Sequence, residues 1–561
     1  MGATLTDVEG TFARLLLDRA DDDHAALLFE DQRYSWADVV RAARARAGLI
    51  HRYLGTGSPP HIGVLLENVP EYIFWIGAAA LAGATVVGIN PTRRGAELAA
   101  DIRHTDCRMI VTDSAQAPLL DGLDTGVPPE NVLLVDRPTP LTRGVSRTED
   151  PSGCGKRHES TKGGDRLLLL FTSGSTGAPK AVACSQGRLA AIAARGDQFG
   201  ITRESVTYIA MPLFHGNAIM ANLAMAVAVG ATVAMRRRFS ASGFLPDVQK
   251  YGVTYFNYVG RALAYVLATP EGAADARNTL HTAFGTEASA RDMRRFGERF
   301  GCRVIEAYGS SEGAIAIGKG EGCPLDALGL PQHGMEVAIL DPDTEKECPR
   351  AEFDSSGALR NPGEAIGEIV GLNVAGAFEG YYNNPEADAQ RLRDGKYWSG
   401  DLGYRDAAGY FYFAGRGGDW LRVDSENFAA APVERILGRW SQVVMGAVYP
   451  VPDPRTGDQV MAALELDRPF DPAAFATFLG EQADLGTKWA PRFVRIVANM
   501  PLTSTNKVDK KPLRRDHWEC PDAVWWRPGR ELVYEPLDAG RVAMLRAEFA
   551  SHGRAHLLTR P

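Results

Sequence analysis

The chain has 561 residues, 45% of them hydrophobic, enough to bury more than one core and too long for a single compact domain. A formal charge of -8 argues against a dedicated nucleic-acid binder, whose contact face is basic. Seven cysteines lie scattered without a C-x-x-C pair, which suits neither zinc nor a disulfide framework and fits a reduced, cytoplasmic setting.

Residues 1–23 show no basic segment followed by a long apolar core, so no secretory signal is expected. Gly2 and Thr6 give the outline of a myristoylation site, a pattern common by chance. Two uncharged stretches, 72–90 and 218–235, approach membrane-span length, but Gly-Ala-Thr-Val interrupts each of them. That break predicts a buried helix turning into a buried strand, and no transmembrane segment. The same stretches echo one another. "AAALAGATVVGI" and "AMAVAVGATVAM" share an Ala-rich helix, a Gly and an Ala-Thr-Val strand, half of a crossover unit each, which predicts two α/β layers of similar design.

From residue 62 onward, short apolar runs ("GVLLE", "ATVVGI", "RMIVTD", "NVLLVD", "RLLLLFT") alternate with helical patterns, the rhythm of a mainly parallel sheet. Residues 138–165 are rich in Pro, Gly, Ser and charge and read as an exposed excursion. A second α/β set follows in "GVTYFNY", "HTAFGTE" and "CRVIEAYG". After about residue 330 the pattern becomes β-rich with Gly turns, and residues 420–515 read as a small α+β domain with helices near 432–438 and 471–479. The aromatics of "VWWRPGRELVYEP" are expected to be packing residues.

The stretch "LLLLFTSGSTGAPKAV" ends an apolar strand in Thr172, Ser173, Gly174, Ser175, Thr176 and Gly177, with Lys180 soon after. A Walker loop needs Lys directly after Gly and Ser or Thr next; here Lys180 follows Pro179 and precedes Ala181, so that reading fails. The means of holding an anion remain: small residues that let backbone N–H groups approach, hydroxyl donors, and one lysine charge.

"FTSGSTGAPK" resembles the signature loop of the AMP-forming adenylating superfamily, which includes acyl-CoA synthetases, luciferases and peptide-synthetase adenylation domains. The resemblance continues in order through "EAYGSSEG", "GEIVGLNVAGAFEGYYNNPE", "YWSGDLGY", "GRGGDWLRVDSENFAAAPVE" and "PLTSTNKVDKKPLR". "SSEG" and "GRGGDWLR" are most similar to the fatty-acid-transport-protein and very-long-chain acyl-CoA synthetase branch. The resemblance implies a large N-terminal domain of layered α/β subdomains with a small β-rich subdomain (1–417), then a small mobile α+β domain (418–561).

It further implies that residues 172–180 hold the departing phosphates of ATP, Ser311 donates to the α-phosphate, and Glu312 binds Mg²⁺, a hard cation suited to carboxylate oxygen. Tyr308 would stack on adenine beside Gly285, Thr286 and Glu287, while Asp401 and Arg416 would reach the ribose or phosphate. His215, Tyr258, Val259, Gly260 and Gly309 would border the acid. Lys507 would contact the carboxylate during adenylation. Gly418 would be the hinge of a domain rotation that brings Arg422, Ser425 and Glu426 to the CoA tunnel. Two departures stand out: Ser425 and Asn506 occupy positions where the superfamily favours Gly.

The reading is an acid:CoA ligase for an apolar carboxylic acid, passing through acyl-AMP and using ATP, Mg²⁺ and CoA. Two other readings stay open. One is an enzyme of a single half-reaction, and the other is a non-catalytic nucleotide-binding module. The acid itself and the oligomeric state, including a homodimer, are left open.

Overall fold

The computed structural model describes residues 10–54, 60–137, 161–172, 180–260, 262–286, 288, 290–320, 322–324, 326–354, 359–374, 376–416, 420–423, 426–455, 457–482, 485–486, 488–503 and 507–559. Two compact units emerge: Met1–Ala316 with Asn373–Tyr397, and Ile317–Leu372 with Trp398–Pro561.

The first unit holds two α/β layers. In one sheet the order is Val132–Leu134, Met109–Thr112, His61–Leu65, Thr85–Gly88, Arg166–Thr172 and Lys180–Ser185, parallel except for the last pair. The other runs Gln32–Ser35, Ala25–Phe29, Thr232–Met235, Val206–Ile209, Tyr255–Val259, Thr282–Thr286 and Arg303–Gly309, parallel except for its first pair. Strands covered by helices on both faces should be apolar without alternation, and Leu167, Leu168, Leu169, Leu170 and Phe171 are all buried.

The sequence echo is a structural one. Helix Pro70–Ala82 ends at Gly83 (φ 65°) and feeds strand Thr85–Gly88. Helix Ala224–Val229 ends at Gly230 (φ 75°) and feeds strand Thr232–Met235. Both glycines adopt the left-handed cap that L side chains resist, and each cap N–H bonds back to the carbonyl of Ala79 or Ala226. The two uncharged stretches are therefore core elements, one in each sheet. No helix among the described residues is long and apolar enough to cross a membrane.

Helix Pro70–Ala82 is buried along nearly its whole length and packs closely on helix Trp36–Leu54. A Cβ at Gly77 would lie 2.9 Å from both Ala43 Cβ and Leu16 Cδ2. Gly77→Val should therefore cost about 1–3 kcal/mol through overpacking, read as a lower thermal midpoint with the far-UV spectrum of the folded protein unchanged.

In the second unit, strands Val337–Leu340, Gly367–Gly371, the later part of Lys396–Arg405, and Phe411–Arg416 form a β-rich layer. A further sheet has the order Val443–Pro452, Asp458–Leu466, Phe493–Ile496, Ala523–Trp526 and Glu535–Pro536. Its alternate residues feed two separate cores: Val448, Val460, Ala462 and Leu464 on one face, Tyr449, Val451, Met461 and Ala463 on the other. The expected helices appear as Ala430–Leu437 and Pro472–Gly480, the latter capped by Asp471. Trp525 packs on Phe470 at 5.4 Å, and Tyr534 donates to the Pro491 carbonyl.

Candidate active site

In open α/β sheets, ligands gather beyond the carboxyl ends of the parallel strands. Strands Tyr255–Val259, Thr282–Thr286 and Arg303–Gly309 run parallel, so Val259, Gly260, Gly285, Thr286, Tyr308 and Gly309 share one edge. Gly285 admits no side chain, since a Cβ would lie 2.4 Å from both the ring and the carbonyl of Tyr258. Gly260 (φ 57°) donates its N–H to the Thr286 carbonyl at 2.8 Å. Glu287 lies outside the described residues.

Tyr258, expected at the acid pocket, stands on strand Tyr255–Val259. Its side chain is fully buried, 6.2 Å from Phe256 on the same strand face, and its hydroxyl has no hydrogen-bond partner among the described residues. The residue before it, Asn257, faces the opposite way and meets the 215–217 segment.

Thr172 and Lys180 are register partners in an antiparallel pair, which closes the base of the 173–179 segment. Ser173, Gly174, Ser175, Thr176 and Gly177 lie outside the described residues. Lys180 is buried, its ammonium 5.2 Å over the ring of Tyr381. The Tyr381 hydroxyl donates to Glu312 Oε1 at 2.8 Å, and Glu312 is itself buried. The Tyr381 amide is tied to Asp388 at 2.7 Å.

Burial, followed by the charge of Arg391, pushes the Lys180 ammonium below its ordinary pKa, against the pull of Glu312 and Asp388. Burial and the Glu312 carboxylate hold the phenols of Tyr381 and Tyr397 above theirs, so both remain protonated donors at neutral pH. Burial opposes the charge of Arg391, but Tyr397, Tyr381 and Glu312 outweigh it and raise its pKa. Two carboxylates (Glu312 and Asp388), two cations and two phenols thus converge at the base of the Gly/Ser/Thr segment.

The turn that carries Ser311 and Glu312 is clamped from behind. Arg188, buried on helix Gln186–Ala193, donates to the carbonyls of Ser311 and Ala183. Gly313 (φ 69°) makes room for it, since a Cβ there would lie 2.4 Å from the guanidinium. On its other side, Ser311 Oγ approaches Gly216, where a Cβ would lie 3.0 Å away. His215 precedes that glycine at the N-cap of helix Gly216–Ala218, its ring 4.5 Å from Phe214. Ser311, Glu312, His215, Lys180 and Thr172 all belong to the first unit, and the paired contacts above link Ser311 to Gly216 and Glu312 to Tyr381 and Lys180.

In the second unit, Asp401 and Arg416 are cross-strand register partners, so residues 15 positions apart in sequence stand side by side. Ser399 Oγ caps the Asp401 amide, and the neighbouring Gly400 amide donates to Glu368 at 2.6 Å. Lys507 sits on a turn tied at both ends: the Thr503 amide donates to the Lys507 carbonyl at 2.7 Å and the Lys507 amide to Thr503 Oγ1 at 3.2 Å. Arg422 and Glu426 lie on the hairpin Trp420–Val423 with Glu426–Ala429. The side chains of Arg416, Arg422 and Glu426, and the whole of Gly418, Ser425 and Asn506, lie outside the described residues.

Sequence reasoning passed over Tyr381, Arg391, Arg188 and Asn257. Tyr381 lay inside a quoted block without a role, and Arg188 followed the loop by a few residues. For both, the signal was nearness to a motif rather than a motif of their own.

The family comparison joins this geometry. The AMP-binding enzyme family matches residues 17–382. A steroid-22-oyl-CoA synthetase of Rhodococcus jostii is 52% identical over 557 residues, covering 98% of this chain and 99% of that protein. A medium/long-chain-fatty-acid–CoA ligase, FadD17, of Mycobacterium marinum is 44% identical, covering 92% of this chain and 98% of its own length. In fold, ATP-bound MatB from Rhodopseudomonas palustris superposes with a TM-score of 0.76 at 24% identity, covering 92% of this chain and 99% of that one. The chain belongs to the AMP-binding enzyme family and is an AMP-forming acid–thiol ligase of the acyl-CoA synthetase kind.

Proposed function

We propose that the protein activates a bulky, steroid-type carboxylic acid as acyl-AMP and passes it to CoA. In the first step a carboxylate oxygen attacks the α-phosphate of ATP, a P–O bond to the departing pyrophosphate breaks, and acyl-AMP forms. In the second, the CoA sulfur attacks the acyl carbon, AMP leaves, and the thiol proton is released. No covalent enzyme nucleophile is required. The observation that carries the chemistry is the buried Lys180–Tyr381–Glu312 group at the base of the phosphate-loop strands. The substrate class is supported by 52% identity to a steroid-22-oyl-CoA synthetase along nearly the whole chain. A medium- or long-chain fatty acid is the second reading, favoured by the 44% identity to FadD17.

In-line transfer at phosphorus is helped mainly by positioning and by neutralising charge. Lys180 supplies positive charge to the β/γ end with the 173–177 backbone, and Ser311 supplies a hydroxyl donor to the α-phosphate. Tyr308 offers a ring to adenine, flanked by Gly285, Thr286 and Glu287. Asp401 accepts from the ribose hydroxyls with Arg416 beside it. Lys507 meets the carboxylate in this step, and Arg422 serves the second, with Ser425 and Glu426 along the thiol's path and Gly418 as pivot between domains 1–417 and 418–561.

Among the described residues no three His, Cys, Asp or Glu side chains converge. That suits Mg²⁺ held the way it binds nucleotides, through one carboxylate together with phosphate oxygens and water. Glu312 fits as that carboxylate, because the Tyr381 hydroxyl engages only its Oε1. Bound there, Mg²⁺ would offset charge on the departing phosphates.

The test uses the full chain with ATP, Mg²⁺, CoA and a panel of steroid-type acids and medium- and long-chain fatty acids, with products read by mass spectrometry. Acyl-CoA and AMP should appear in equal amounts, fastest with a steroid-type acid. Formation of ADP, or absence of any acyl-CoA, would overturn the reaction. Preference for fatty acids would overturn the substrate class alone.

A further inference from the structure

A chain of three amides crosses the first unit beside the 215–217 segment. Asn222 Nδ2 donates to the Tyr208 carbonyl at 3.2 Å and to Asn257 Oδ1 at 2.7 Å. Asn257 Nδ2 donates to Asn217 Oδ1 at 2.6 Å. The direction of this chain is forced from its inner end. The Tyr208 carbonyl can only accept, so Asn222 must turn its nitrogen inward. Its second hydrogen then makes Asn257 the acceptor, and Asn257 in turn donates to Asn217. The outer member, Asn217, is left with its oxygen occupied by this bond and its NH₂ available to donate.

Asn222 and Asn257 are fully buried, while Asn217 is half-buried and its amide nitrogen donates to no described protein group. Holding this arrangement has a cost, for Asn222 Oδ1 is buried without a partner. Asn222 also lies in a π-helical turn, Ile219–Leu223, a local widening often found at functional sites.

The middle amide has apolar neighbours on its own sheet face. Asn257 and Phe284 are register partners and share a sheet face, where Phe284 packs on Phe199 at 4.3 Å. The residue preceding Asn217 is Gly216, which abuts Ser311 Oγ, so the outer NH₂ is within one residue of the proposed adenylation centre. A directionally fixed donor one residue from Gly216 would orient a ligand that carries an oxygen acceptor and disfavour one that does not.

We infer that Asn217 is a specificity-determining donor that selects acids bearing an acceptor oxygen on their hydrocarbon skeleton, in addition to the reacting carboxylate. The inference rests on the acid:CoA ligase reading above. Asn257 and Asn222 are positioning residues that fix which end of Asn217 is presented.

The test compares bisnorcholanic acid, whose ring skeleton carries no oxygen, with congeners bearing one ketone, or one hydroxyl, at successive ring positions. The wild-type chain should favour one ketone congener over the parent by about 10–100-fold in kcat/KM. Asn217→Asp is nearly the same shape and still accepts from Asn257, yet it donates nothing. It should erase the ketone preference while the matching hydroxyl congener, which can itself donate, stays ahead of the parent. A merely structural Asn217 would not separate ketone from hydroxyl. Three results overturn the inference while leaving the ligase reading intact: acyl-CoA formed by wild type with no ketone preference, a ketone preference that survives Asn217→Asp, or equal slowing of all acids in that variant. No acyl-CoA from any acid overturns both.

Discussion

Glu312→Gln will lower acyl-AMP formation by about 10²–10³-fold, the scale on which a fixed electrostatic partner of a reacting phosphate matters. The glutamine keeps the volume of a buried side chain and can still accept from the Tyr381 hydroxyl, so the fold has little reason to change. What it loses is a full negative charge among Lys180, Arg391 and the incoming nucleotide. ATP–pyrophosphate exchange measures the step directly, and a thermal midpoint within error of wild type separates chemistry from unfolding. Raising Mg²⁺ should restore part of the exchange if the carboxylate's task is to hold the ion. Exchange at the wild-type rate would remove Glu312 from the reaction.

Lys507→Ala should be as severe, by about 10³-fold, and confined to the first half-reaction. The turn that presents Lys507 is closed by backbone and hydroxyl bonds to Thr503, and by the bridge between Leu502 and Val508, none of which involves the ammonium. Removing the side chain beyond Cβ therefore takes away a charge and not the turn. Acyl-AMP supplied from outside should still be consumed with CoA. Loss of both steps together, with the fold retained, would show that Lys507 is not specific to adenylation. Wild-type chain that consumes acyl-AMP but shows no exchange would mark a single half-reaction enzyme.

Much of this was legible in the residues. Gly83 and Gly230 announced helix-to-strand turns because an apolar helix followed by Gly and a β-branched run has few other ways to fold. The strand running into a loop before Lys180 was legible, and the residue types there supply the donors and charge on which the proposed anion-binding role rests. The supporting cast was not. Tyr381 reaches Glu312 across 69 positions, and Arg188 reaches Ser311 across 123, distances at which no local pattern survives. Tyr258 and Asn257 show a different limit. Alternation along a strand says that neighbours face opposite ways but not which way the ligand lies, so by itself it does not choose between the aromatic residue and the amide. Asn217, Asn222 and Asn257 are isolated amides in apolar runs, and only their mutual geometry gives them meaning.

The pairing of strand Ala25–Phe29 with Thr232–Met235 places a demand on the chain as it is made. Leu27 finds its partner Val233 only after more than a third of the protein has followed it. At about 5–20 residues per second, the ribosome needs on the order of 10–40 s to deliver that partner. Through that interval an apolar strand waits with one edge unfilled and only Gln32–Ser35 alongside it. Slower synthesis lengthens the exposure, whereas holdase chaperones shorten its effective reach. The yield of soluble chain should therefore depend more on what shields the nascent N-terminal hairpin than on the stability of the finished enzyme.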